Sequence, residues 1–272
     1  MNEPSCSRLI LLLMLSVLPL SARADQAREI MNKNEEVRKV NEFESRARLT
    51  TGNLVEKSEK VKEFTFWRKV QADRIHNSTL TRFHSPAEVR NEGILIVENP
   101  DGKNDVLLYL PNFKKTRRVE SQQQSGSFMG SVFSYSDIAT PHTSDYRYRT
   151  LRQEKCPGAE HAQFQCHVIE ALPVNEDVQE RTGYSKSVIW VRTDNFMVVK
   201  GEYTNVQGEL FKRLEAGQIK MVDPKEKKWL AHFLSIENLK TRDYTRLVFS
   251  NVKVNGGIPD AVFTQQNLQK VR

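Results

Sequence analysis

The chain has 272 residues, 38% of them hydrophobic and 28% charged, and its 41 Lys and Arg outnumber 34 Asp and Glu for a net charge of +7. That hydrophobic content supports a packed core and excludes a disordered chain. The basic residues are scattered among acidic ones and form no nucleic-acid-binding motif, so no nucleic-acid partner is expected; the mild excess fits contact with an anionic lipid surface or an acidic partner.

The N-terminus reads as an address. Arg8 precedes the apolar run Leu9–Leu20, LILLLMLSVLPL, which is too short to cross a bilayer comfortably, and Ala22-Arg23-Ala24 is an A-x-A cleavage site. The reading is a secretory signal peptide, residues 1–24, cut after Ala24, with Asp25–Arg272 as one domain. Removal of Arg8 and Arg23 (two positive) and Glu3 (one negative) takes the net charge from +7 to +6. No later stretch has the length and apolarity of a membrane helix. In an exported protein the remaining pair, Cys156 and Cys166, is most simply a disulfide across the Pro157-Gly158-Ala159 turn. A metal site from Cys156, Cys166, His161 and His167 is the alternative, but the spacing matches no common zinc pattern.

In chain order, Asp25–Val40 reads as a helix with Asp25 as cap. From Phe43 the period changes to alternation: Ser45–Thr50, Val61–Val70 and Arg74–Phe83 read as strands. Ser85-Pro86-Ala87-Glu88 starts a brief helix, Gly93 opens a strand, and Asn99-Pro100-Asp101-Gly102 turns it into Asp105–Leu110. Lys114–Val119 follows as a strand. Beyond Pro141 come strands over Asp145–Glu154, Phe164–Leu172, Tyr184–Arg192, Phe196–Thr204, Glu209–Ile219, Lys228–Ile236 and Tyr244–Val254, then a short final helix after Ile258-Pro259-Asp260. Strands joined by short connections predict an α+β, mostly β architecture: one large, curved antiparallel sheet with a few helices. Phe64, Phe66, Trp190, Phe196, Phe211 and Trp229 are candidates to line its concave face.

One stretch breaks the alternation. Ser121–Asp137, SQQQSGSFMGSVFSYSD, is polar, then glycine-rich, then carries Phe128, Met129, Val132, Phe133 and Tyr135, which fall on one side of a helical wheel. A long irregular segment in a strand-rich chain is a core plug or a functional lid. The reading is a lid over an apolar cavity, with Lys114, Lys115, Arg117 and Arg118 just before it as a docking cluster.

Several segments together resemble the bacterial outer-membrane lipoprotein-sorting (LolA-like) carriers, especially the branch associated with RND/MMPL-type exporters. They are Phe83–Arg90, FHSPAEVR; Leu107–Pro111 with Lys114–Val119; Ser125–Ser131, SGSFMGS, running into Phe133–Asp137, FSYSD; and Ile258–Thr264, IPDAVFT. The resemblance implies a half-barrel, LolA/LolB-like, with helices covering the concave face and a hydrophobic cavity between. It implies a periplasmic carrier of lipid or lipoprotein acyl chains, passing cargo from an inner-membrane exporter toward an outer-membrane acceptor with transient membrane-surface contact. The alternative is an envelope-assembly interaction protein with a filled core.

Catalysis lacks a constellation. Ser127 lies in G-S-F-M-G, which is not the G-x-S-x-G elbow. His76, His84, His142, His161, His167 and His232 are dispersed without metal-ligand spacing, and no P-loop or G-x-G-x-x-G occurs. The expectation is a protein that is not an enzyme and holds neither metal nor cofactor.

Overall fold

The computed structural model describes residues 20–270. Most of the expected signal segment therefore lies outside the described residues, and the expected cut after Ala24 falls inside the first helix, α1 (Leu20–Arg38). Helix α1 buries Ala27, Ile30, Met31 and Asn34, a spacing of three and four residues that places them on one face.

The strands are β1 (Glu42–Asn53), β2 (Glu59–Val70), β3 (Asn77–Ser85), β4 (Gly93–Val97), β5 (Asp105–Leu110) and β6 (Lys115–Arg118), then β7 (Tyr146–Lys155), β8 (Gln165–Pro173), β9 (Tyr184–Arg192) and β10 (Val198–Asn205), and finally β11 (Leu210–Asp223), β12 (Lys228–Asn238) and β13 (Asp243–Val254). Among the described residues all thirteen form one sheet in the order β6-β5-β4-β3-β2-β1-β13-β12-β11-β10-β9-β8-β7. Every pairing is antiparallel, and one long-range pairing, β1 with β13, joins two meanders into a single sheet. The sheet does not close: β6 and β7 are its edges. A sheet of this width twists and curls, which gives it a concave and a convex face. This is the α+β half-barrel expected from the sequence.

The helical elements missed or misplaced by the sequence reading are short. Helix α2 (Tyr135–Ile138) is one turn, opened by a capping box between Ser134 and Asp137. Helix α3 (Glu176–Thr182) was not anticipated. Asn175 caps its start and Gly183, with φ of 76°, its end. The brief helix expected after Pro86 is a 3₁₀ turn, Ala87–Val89, and the C-terminal helix shrinks to α4 (Gln265–Leu268).

The main core lies on the concave side, where Phe43, Ala47, Leu49, Phe64, Phe66, Phe83, Ile94, Ile96 and Leu247 meet Phe128, Phe133 and Ile138. Under α1 a second cluster joins Ile30 and Met31 to Tyr148, Ile169, Ile189 and Val191. On the convex side of β3–β5, Leu80, Leu95 and Tyr109 are sealed by Leu268, Val262 and Phe263 of the C-terminal segment. Cys156 and Cys166 form a disulfide with Cα atoms 5.0 Å apart. It rules out the metal alternative. His161 instead bonds the Ala216 carbonyl, 2.8 Å from Nε2.

Candidate binding cavity

Between the concave face, α1 and the 121–141 segment lies a cavity of about 340 Å³. Its apolar wall includes Phe64 and Phe66 of β2, Leu214 of β11, Leu234 and Ile236 of β12, and Leu247 and Phe249 of β13. Alternation explains the choice: each strand sends every second side chain inward, and curvature keeps side chains from opposite ends of the sheet from meeting.

The covering segment is built around a bridged turn. Ser127 and Ser134 form an isolated antiparallel bridge, and the Phe128 N–H donates to the Phe133 carbonyl at 2.7 Å. The tight turn between them is held by Ser127 Oγ donating to the Ser131 carbonyl, 2.7 Å, with Met129 and Gly130 both at positive φ. Bulky residues at 128 and 133 are thereby brought to the same side, and both face the cavity. Phe128 is 1% exposed and packs on Phe83 and Tyr135. Met129, Val132 and Tyr135 are half-buried against the same core but do not line the cavity.

Of the residues expected on the cavity wall, Phe64 and Phe66 are there and four are not. Trp190 neighbours the inward Ile189 and therefore points to the convex face, where it packs with the disulfide, Val168 and Val199. Its Nε1–H donates to Glu154 Oε1 at 2.6 Å and Lys200 Nζ sits 4.2 Å from its ring. Trp229 is displaced for the same reason, since its neighbour Leu230 takes the inward position. Phe196 lies in the turn before β10 at φ 58°, packing under α1 with Lys33 over its ring. Phe211 packs beside Tyr184, ring centroids 5.9 Å apart, and does not reach the wall. The residues that sequence reasoning missed, such as Leu214, Leu234 and Tyr203, carry ordinary strand alternation and no individual signal.

Polar groups hold the cover down. At its far end Arg68 Nη2 donates to the Ile138 carbonyl at 2.6 Å and Arg38 Nη2 to the Pro141 carbonyl at 2.8 Å. The Thr140 N–H donates to Glu98 Oε1, and the Thr143 N–H to Glu35 Oε2. At its near end Lys62 Nζ donates to the Met129 carbonyl at 2.9 Å, and the Val132 N–H to Thr245 Oγ1, also 2.9 Å. In the middle the Tyr184 hydroxyl donates to Asp137 Oδ1 at 2.7 Å, with Lys212 Nζ 3.5 Å from Asp137 Oδ2. Burial pushes the Tyr184 hydroxyl well above its ordinary value.

His142 stands between two carboxylates, Nε2 at 3.4 Å from Glu98 and Nδ1 at 4.0 Å from Glu35. These are ion-pair distances, and Nε2 has no acceptor in hydrogen-bonding geometry among the described residues. The facing carboxylates of Glu35 and then Glu98 outweigh burial and raise His142 to about 9. Burial pulls Glu98 upward, but His142, the Arg68 charge and the Thr140 N–H override it and bring the carboxyl down to about 2. Glu35 also falls to about 2: burial opposes the shift, and His142, Thr143 and Arg38 together prevail.

Lys115, Arg117 and Arg118 lie on edge strand β6, with Lys114 just before it, and all four side chains are exposed. Arg118 pairs with Asp105. Phe113, 70% exposed, precedes them. Among the described residues no group of His, Cys, Asp and Glu has the arrangement of a metal site, and no helix is long and apolar enough to cross a membrane.

A family model, described as that of an uncharacterized protein, matches residues 76–270. The chain belongs to that family, and its fold is LolA-like. An outer membrane lipoprotein-sorting protein domain from Vibrio parahaemolyticus superposes with a TM-score of 0.81 at 24% identity, over 91% of this chain and 100% of that one. A DUF1329 family protein from Desulfovibrio piger gives 0.82 at 22% identity, over 90% and 99%. A LolA superfamily protein from Nitrosomonas europaea gives 0.67 at 22% identity, over 89% and 98%. No curated protein matches the chain in sequence.

Proposed function

We propose that the chain is a periplasmic, non-enzymatic carrier that takes up the acyl chain of a lipid or lipoprotein in the concave cavity and releases it to an acceptor, with an RND/MMPL-type exporter as the source. The observation that carries this reading is the apolar cavity of about 340 Å³ under a cover whose two phenylalanines face it. At about 30 Å³ for a group the size of one water, the space holds a single chain of about eleven methylene-sized units. At about 0.8 kcal/mol each, their burial is worth about 9 kcal/mol, enough to hold a chain outside a membrane. A cover fixed by separate polar contacts rather than by a continuous ladder is suited to moving aside. The exposed Lys114, Lys115 and Arg117 would add about 1 kcal/mol each near an anionic surface, guiding docking while the cavity governs retention.

The test is native mass spectrometry of protein purified from the periplasm, with uptake of a fluorescent fatty acid measured alongside. Co-purified lipid and uptake, both lost in a folded Phe128→Glu/Phe133→Glu variant, are expected. Absence of both from the unmodified protein overturns the carrier and leaves the interaction protein with a filled core.

A further inference from the structure

An acyl chain asks only for an apolar wall, yet the wall of this cavity includes Arg38 and Arg68. Each spends an N–H on a carbonyl of the cover, at Pro141 and Ile138, three residues apart, so both guanidiniums stand at the same end. Neither has a carboxylate within ion-pair distance among the described residues. Arg38 Nε is fully buried there with no hydrogen-bond partner. Burial lowers both arginines, Arg68 to about 10, and the Arg38 charge lowers Arg68 further, so the two guanidiniums sense each other.

The surrounding charges do not cancel them. The acids near this end are Glu35 and Glu98, and both are already engaged. Glu98 accepts from the Asn77 N–H and Nδ2 and from the Thr140 N–H, and faces His142. Glu35 accepts from the Thr143 N–H and also faces His142. Asp145 and Asp137 are committed to Arg181 and Lys212. With His142 protonated, the two arginines and the imidazolium meet two carboxylates, and one positive charge is in excess. The partners of the two arginines are neutral, the two cover carbonyls and, for Arg68 Nε, the Thr79 hydroxyl; a partly buried cation without a counter-ion is costly, and an anion placed beside it removes much of that cost. Guanidinium forks match the two oxygens of a carboxylate or phosphate.

We propose that the Arg38–Arg68 end of the cavity is a headgroup site: the cargo is an amphiphile with a carboxylate or phosphate head on the two guanidiniums and its chain along Phe64, Phe66, Phe128 and Phe133. The proposal rests on the carrier reading and narrows its ligand class from any acyl chain to an anionic one.

Calorimetric titration at pH 8, below micelle formation, compares dodecanoate, its methyl ester, monododecyl phosphate and inorganic phosphate. The two anionic amphiphiles are expected to bind at least tenfold more tightly than the ester. A folded Arg38→Gln/Arg68→Gln variant loses that preference, read as the ratio of acid to ester affinity within the same variant, and the double lysine variant recovers part of it. Equal affinity of acid and ester in the unmodified protein, or an intact preference in the glutamine variant, overturns the headgroup site and leaves the carrier standing. Inorganic phosphate binding as tightly as dodecyl phosphate also overturns it, because the anion site is then independent of the chain. If no amphiphile binds, the carrier fails and the headgroup site with it. Should near-UV circular dichroism show the glutamine variant unfolded, the acid-to-ester ratio of the unmodified protein decides alone.

Discussion

The concave and convex faces of the same sheet both bury aromatic rings, but they use them differently. On the convex face Trp190 is closed in by the disulfide, Val168 and Val199, and its one polar atom is matched by Glu154. Farther along that face, Leu268 is fully buried on β3–β5. On the concave face Phe64, Phe66, Phe128 and Phe133 are equally shielded from water, and a cavity remains between them. Burial of a large ring therefore does not identify a cavity wall. What matters is whether curvature holds the facing surfaces apart, and that belongs to the face rather than to the residue.

Truncating one ring on each face tests this most severely. Phe128→Ala and Trp190→Ala should each cost about 3–5 kcal/mol in denaturant unfolding. Only the first should alter lipid uptake, shifting it toward longer chains as the cavity grows. A change in chain preference in the convex variant would erase the distinction between the faces.

Next in size is the pH dependence of the polar end of the concave side. His142 sits at about 9 in the folded protein against an ordinary 6.5, so its contribution is complete below 6.5 and is lost as pH rises through 9. Glu35 and Glu98, at about 2 against 4.5, contribute fully above 4.5 and lose that as pH falls toward 2. Stability from this group is thus greatest between about 4.5 and 6.5, and the alkaline loss amounts to about 3 kcal/mol at most. Unfolding free energies of the native protein and of His142→Gln should converge between pH 7 and pH 10. Parallel curves would show that the imidazole is not charged by its neighbours.

The convex staple gives the smallest effect. Cys156→Ser should cost about 2–3 kcal/mol for the loop closed across ten residues. Under oxidising conditions the melting temperature should fall while lipid affinity stays constant. A parallel fall in affinity would tie the two faces together.

Most strands of this molecule were legible because each carries its own period and its own turn; the pairing of β1 with β13, which leaves β6 and β7 as edges, was not. Asn99-Pro100-Asp101-Gly102 and Asp194-Asn195 mark connections whatever surrounds them. The covering segment was legible as an exception to alternation, and Phe128 and Phe133 line the cavity. Its conformation was not, because a serine-bridged turn with Met129 in the left-handed region leaves the same aromatic spacing as a helix. Helix α3 escaped because its buried apolar contribution is essentially Val178.

Local pattern thus determined the sheet, the disulfide and the presence of a cover, since periodicity, turn chemistry and paired cysteines act over a few residues. Which side of the sheet each aromatic faces depended on strand phase, and that was set by bulges and by partners distant in sequence. The same holds for the cluster of Arg38, Arg68, Glu98 and His142, whose members come from α1, β2, the residue after β4 and the stretch beyond α2. Only the seating of α1 and the cover on the sheet brought Arg38 and Arg68 to one cavity, with Glu98 and His142 facing each other nearby.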